Sequence, residues 1–162
     1  MVTVRRVSSG GEEQRELFRR WPAGVSVVVA ETAGRKAGLT VSSLVSVSLE
    51  PPLVSISLGR GASIFEVLDE AGRWGASILA ADQAHLAQHF SRSVPPLVQW
   101  DGIPARADEP LLLEGAVGWI LADIVERLEV GDHVIFVGAV RSLEAGPGQG
   151  ALVYFDRRYV AL

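Results

Sequence analysis

The residues with the clearest chemical potential lie at positions 38–63, GLTVSSLVSVSLEPPLVSISLGRGAS, where hydroxyl side chains recur on an apolar background. From Leu39 onward, Leu39, Val41, Val45, Val47 and Leu49 are apolar while Thr40, Ser42, Ser46 and Ser48 are hydroxylic, the period-two alternation of a half-buried strand. Ser43 and Leu44 break that alternation, and Pro51-Pro52 predicts an extended, unpaired corner before a second apolar run over 53–58. The run ends in Gly59-Arg60-Gly61, just before Ser63 and a helix-like stretch. Backbone amides, a guanidinium and a hydroxyl meeting at a helix start suit a phosphate. The same residues also read as ordinary strand hydroxyls with Ser63 as an N-cap, and the chain has no glycine fingerprint for a dinucleotide.

Three further groups carry chemistry by type. His85 and His89 stand four apart on a predicted helix, a spacing that can share a metal. Leu86-Ala87-Gln88 between them lacks the glutamate of a hydrolytic zinc motif, so no metal is expected. His133 follows Gly131-Asp132 at a hairpin edge, and reads either as a ring at a cavity mouth or as a partly exposed strand residue. Tyr154, Asp156, Arg157 and Arg158 offer a ring and cations to a nucleotide, or form a solvated turn. No G-x-S-x-G elbow marks a nucleophile, and a hydrolase is not expected.

The elements that must position these residues are mostly strands. Residues 12–20 predict a short amphipathic helix ended by Pro22, 25–31 a valine-dense strand, and 32–38 an exposed turn. Residues 63–69 predict a helix closed by Gly72, 74–80 a strand, and 83–90 a helix capped by Asp82. Residues 91–110 predict a long loop. Three strands, 115–130, 133–144 and 151–162, then predict a meander joined at Gly131-Asp132 and at 146–150. With no strand–helix alternation, a mainly β, antiparallel, single-domain barrel with peripheral helices is expected over 1–162.

Composition narrows the partners. The 162 residues, 48% hydrophobic and 21% charged, make one domain with a real core. The net charge of −4 gives no basic footprint, so nucleic acid is not an expected partner. The absence of cysteine removes thiolate metal sites and a cysteine nucleophile, and redox chemistry would need a bound cofactor. No apolar run matches a membrane span and the start lacks a signal-peptide core, so a cytoplasmic protein is expected. Lys36 is the only lysine among 15 basic residues, a compositional bias that discounts arginine counts.

Read in order, Phe18, WPAGVSVV, AGLTVSSLVSVSLEPPLVSISL, the Ser63 helix, the 86–91 helix end, GDHVIFVGAV and LVYFDRRYVAL resemble the flavin reductase-like family, the short-chain NAD(P)H:flavin oxidoreductases. The resemblance covers nearly the whole chain, and its last motif is most similar to reductases serving aromatic polyketide hydroxylation. It implies an FMN-binding split β-barrel, usually a homodimer, that passes a hydride from NADH or NADPH to FMN or FAD. Reduced flavin would then diffuse to a partner flavin-dependent oxygenase. By the same resemblance, Thr40, Val41, Ser42 and Ser43 would hold the isoalloxazine and ribityl chain. Ser57, Leu58, Gly59, Arg60 and Ser63 would address the ribityl–phosphate side, with Phe90 closing the helix end beside it. His133, Tyr154, Asp156 and Arg157 would line the path of the nicotinamide nucleotide, with His133 orienting it. Hydride transfer between two stacked rings asks the protein for position more than for acid–base work, which fits a chain without a strong catalytic constellation. A flavin-binding electron carrier or sensor without nicotinamide-dependent activity is the alternative.

Overall fold

Every residue from Val25 to Ala30 is buried, and the reason is a division of labour along one strand. Val28 and Ala30 face one apolar cluster, while Val25, Val27 and Val29 face another, so a strand between two cores must be apolar on both sides. The structure, a computed structural model, describes residues 11–92 and 99–162. Its elements are α1 (Glu12–Phe18), β1 (Ala23–Gly24), β2 (Ser26–Thr32), β3 (Arg35–Val41), β4 (Val45–Leu49), β5 (Pro52–Gly59), α2 (Phe65–Ala71), β6 (Arg73–Ile78), α3 (Ala84–Phe90), β7 (Gly118–Val130), β8 (His133–Ala145), β9 (Leu152–Phe155) and β10 (Arg158–Ala161).

Seven strands form one antiparallel sheet in the order β3-β2-β6-β7-β8-β5-β4. A flat sheet of that order would hold its edges six spacings apart, about 29 Å. Its edge strands are nonetheless consecutive in the chain, and the step from Val41 to Val45 spans at most about 14 Å. The sheet must therefore curl until β3 and β4 meet at residues 42–44. Inside the curl lie Val28, Ile56, Leu68, Trp74 and Phe136. The second core, with Val27, Leu86, Phe90, Leu111 and Leu152, fills the space under α3 and a small sheet of order β1-β9-β10. Gly38 allows α3 its close approach, since a Cβ there would lie 2.7 Å from the Phe90 ring.

Several sequence expectations need correction. The strand over 39–49 is two strands, and β4 does not alternate: Val45, Val47 and Leu49 are all exposed, Leu49 by 83%. As an edge strand with a register shift between Ser46 and Ser48, it is not held to one buried face. Pro51-Pro52 is no unpaired corner, because Pro52 pairs with Leu49 and opens β5. The turn over 32–38 shrinks to Ala33-Gly34, both at positive φ (48° and 75°), the two-residue loop that matches strand twist. Asp156-Arg157, at φ 48° and 60°, make the same turn and split 151–162 into β9 and β10. Strands β8 and β9 belong to different sheets, so 146–150 crosses between sheets and closes no hairpin. Gln83, not Asp82, precedes α3, and its Oε1 accepts the Ala80 N–H at 3.0 Å.

The long loop predicted over 91–110 lies partly outside the described residues. Its described remainder includes Gln99, whose side chain exchanges two hydrogen bonds with Gly38 at 3.0 and 2.9 Å and ties the segment to β3. Among the described residues no helix is long and apolar enough to cross a membrane.

Candidate functional site

A groove of about 730 Å³ opens where the end of β3, α3 and the β9–β10 hairpin meet. Thr40, Val41 and Ser42 form one side, Ala84, Gln88 and Ser91 of the α3 region another, and Tyr154, Arg157, Arg158 and Tyr159 the third, with Val25 completing the lining. The walls are tied together at one carbonyl. Thr40 donates its hydroxyl to the Ala87 carbonyl at 2.7 Å, and the Tyr159 phenol donates to the same oxygen at 3.3 Å. Burial pushes the Tyr159 phenol above its ordinary pKa of 10.0, with a bond to Ser91 acting the other way. The Tyr154 and Tyr159 rings lie 5.3 Å apart in a tilted pair, so the hairpin presents an aromatic wall with Arg157 at its tip.

A second lobe of about 460 Å³ continues from the first, and the two share Ser42, Tyr154 and Arg157. Its other lining residues are Arg15, Phe18, Arg19, Trp21 and Ala23. Helix α1 contributes no buried residue and is fastened at its end to the β9–β10 turn. There Arg19 meets Asp156 at 2.6 Å, and the Asp156 N–H donates to the Arg19 carbonyl at 2.9 Å.

A third grouping lies at the far end of β5. Gly59 pairs directly with His133, and the Arg60 N–H donates to the Asp132 carbonyl at 3.2 Å. His133 Nδ1 lies 2.8 Å from Asp132 Oδ1, and this hydrogen bond holds the Asp132 carboxyl below its ordinary range, with Arg15 adding a smaller effect. Arg60 also pairs with Glu129 at 3.2 Å. Ser43 links this grouping to the groove. Its Oγ accepts the Ser57 N–H at 3.1 Å and donates to the Ser57 carbonyl at 2.9 Å, fastening the 42–44 link to β5.

The structure thus brings Thr40, Val41, Ser42, Tyr154 and Arg157 into one groove, and Gly59, Arg60 and His133 into a separate corner. Four expectations change. The Leu58 side chain is buried in the first core, leaving only its backbone to face a ligand. Phe90 is wholly buried in the second core against Trp100, because its ring fills the space over Gly38, and it lines no groove. Ser63 makes no cap, since Ile64 precedes α2 without a side-chain cap bond. The Asp156 carboxylate is engaged by Arg19 and does not line the groove. His89 Nε2 lies 2.7 Å from the Gln99 carbonyl, a structural contact.

Sequence reasoning missed Val25, Ala84, Gln88, Ser91 and Tyr159 in the groove, and Arg15 and Trp21 in the second lobe. The amphipathic pattern over 12–20, followed directly by Trp21, was the signal available in the sequence for the second lobe.

The walls offer neutral hydroxyl and amide groups, a tyrosine pair and cations. A groove of this size, about that of a typical small-molecule site, fits a flat heteroaromatic ring with a hydroxylated, phosphorylated tail. Among the described residues its lining holds no pairing of nucleophile and base for hydrolysis.

Comparisons with known proteins point the same way. The family model described as "Flavin reductase like domain" matches residues 18–162. The actinorhodin polyketide dimerase of Streptomyces coelicolor is 38% identical over 149 residues, 91% of this chain and 84% of that protein. An NADH:FMN oxidoreductase of Rhodococcus qingshengii is 36% identical over 153 residues, 91% of this chain and 79% of that protein. The crystal structure of the flavin reductase component of a bacterial two-component tryptophan halogenase superposes with a TM-score of 0.85 at 32% identity, covering 94% of this chain and 98% of that one.

Proposed function

The chain belongs to the flavin reductase-like family, and from that premise we propose that it is an NAD(P)H:flavin oxidoreductase supplying reduced flavin to a partner monooxygenase. The observation that carries this reading is the two-lobed groove, in which Thr40, Val41 and Ser42 face Tyr154 and Arg157 across a space suited to stacked rings. The flavin supplies the hydride-accepting ring and the nicotinamide supplies the hydride. The chain's own work is to hold the two planes together and keep water from them.

In this reading Thr40, Val41 and Ser42 support the flavin ring, while Ser43 sets the height of that support through Ser57. The backbone of Gly59 and Arg60, with the Arg60 guanidinium and the exposed Ser63 hydroxyl, faces the phosphate-bearing tail. Tyr154 and Arg157 bound the nicotinamide nucleotide, and His133, held by Asp132, orients it. FMN and FAD both remain substrates of this reading, in a cytoplasmic protein with a split-barrel fold.

The working unit is a homodimer. The outer face of β4, β5, β8 and β7 supports this, because Leu128 pairs with Ile135, Val130 pairs with His133, and Val45 and Val137 flank Ser55 in one row, so five apolar side chains share that face with Ser55, Ser57 and Glu126. Val45, Leu128 and Val130 on that face are exposed, by 46–54%. A partner serving aromatic polyketide metabolism is the reading favoured by the likeness to the Streptomyces protein.

The test is to mix the purified protein with NADH and FMN without oxygen and follow both absorbances. Loss of both above the protein-free control supports the reading. No loss with any pairing of NADH or NADPH with FMN or FAD overturns it in favour of a carrier or sensor.

A further inference from the structure

The two lobes form one continuous groove through Ser42, Tyr154 and Arg157, and the second lobe has a character of its own. Phe18 and Trp21 are 58% and 68% exposed, on a segment whose helix has no buried residue. Folding gains little from burying either ring, and both line a concave wall rather than a convex surface. Cations frame them. Arg19 is neutralised by Glu16 and Asp156, whereas Arg15 and Arg157 enter no ion pair among the described residues.

Exposed aromatic planes flanked by guanidinium groups suit a base carrying a phosphate. In the proposed function a mononucleotide's reactive ring and phosphate are served by the first lobe and the Gly59 corner. We propose that the second lobe binds the adenosine monophosphate half of a dinucleotide, with adenine stacked on Trp21 or Phe18 and the phosphate near Arg15 and Arg157. This inference rests on the proposed function, which supplies two dinucleotides with that half, FAD and NADH.

Calorimetry with 5′-AMP alone tests it without turnover. The wild-type chain should bind AMP, Trp21→Ala should weaken that binding about fivefold or more, as loss of one base–aromatic stack would, and Arg15→Gln should weaken AMP more than adenosine. Steady-state comparison then identifies the source. A Trp21→Ala increase in KM for NADH but not for reduced nicotinamide mononucleotide assigns the lobe to the nicotinamide side, and an increase for FAD but not FMN assigns it to the flavin side. Either pattern supports the proposal. Absence of AMP binding to the wild type, equal effects on mono- and dinucleotides, or a Trp21→Ala effect confined to oligomeric state by light scattering overturns it. Phe18→Ala repeats the test at the second ring. If flavin is not reduced but AMP binds through Trp21, only the proposed function fails; if flavin is reduced but AMP ignores Trp21, only this inference fails.

Discussion

The Ser43 hydroxyl and the Ser57 peptide exchange two hydrogen bonds, at 3.1 Å from the Ser57 N–H and 2.9 Å to its carbonyl. One side chain thus does what a strand ladder does elsewhere, tying the link between the two edge strands of a curled sheet to β5. Ser43→Ala leaves both Ser57 backbone groups without that partner at a half-buried position, and should cost about 1–3 kcal/mol. Urea unfolding should report this as a lower midpoint with unchanged slope. A midpoint equal to wild type would mean that water replaces the hydroxyl fully.

Alkaline pH should loosen the groove through Tyr159. Burial raises its folded pKa above 10.0, so the neutral phenol's contribution is complete below pH 10 and is lost as pH rises through that raised value. Spectrophotometric titration should show one phenol ionising later than free tyrosine. Tyr159→Phe should remove that late step and flatten the fall in thermal stability above pH 10.

His133→Ala should raise the KM for NADH several-fold while changing flavin affinity less than twofold. Its ring is exposed and, among the described residues, hydrogen-bonds only its neighbour Asp132, so the fold should not depend on it. Flavin fluorescence titration beside steady-state kinetics separates the two effects, and a selective flavin defect would place His133 on the other substrate.

Arg60→Gln and Ser63→Ala should weaken FMN more than riboflavin, by about tenfold for the arginine if it makes a charge-assisted phosphate contact. Arg60 pairs with Glu129 in the free chain, so Glu129→Gln should strengthen FMN binding modestly by releasing the guanidinium. Equal losses for FMN and riboflavin would remove the phosphate from this corner.

Leu128→Glu should produce a monomer. Placing a carboxylate on the face shared with Ile135 and the exposed Val130 desolvates a charge only if a second copy covers it. Analytical ultracentrifugation should show the shift, and an unchanged sedimentation coefficient would locate the dimer contact elsewhere.

The fold was legible where patterns were local. The valine run at β2 and the Gly72 cap could be read directly, because each depends on neighbours in the chain. The exposure of β4 could not, since Val45, Val47 and Leu49 have the composition of a core strand and only their place at the sheet edge keeps them uncovered. Phe90 was misread for a related reason: a ring at a helix end can turn outward or inward, and the cavity above Gly38 decides. Tyr159 escaped notice because its bond to Ala87 joins residues 72 positions apart.

The small sheet also imposes an order in time. The groove's aromatic wall lies on β9 and β10, which are synthesised after β2, β3 and most of the first core. A nascent chain can therefore bury its first core before the groove's aromatic wall exists. Until Asp156 emerges to meet Arg19 and Leu152–Phe155 to meet Ala23–Gly24, the aromatic face of the N-terminal helix has neither wall nor ligand. Chaperone occupancy during synthesis should fall on that helix, and ligand cannot rescue a chain whose translation stops before residue 152.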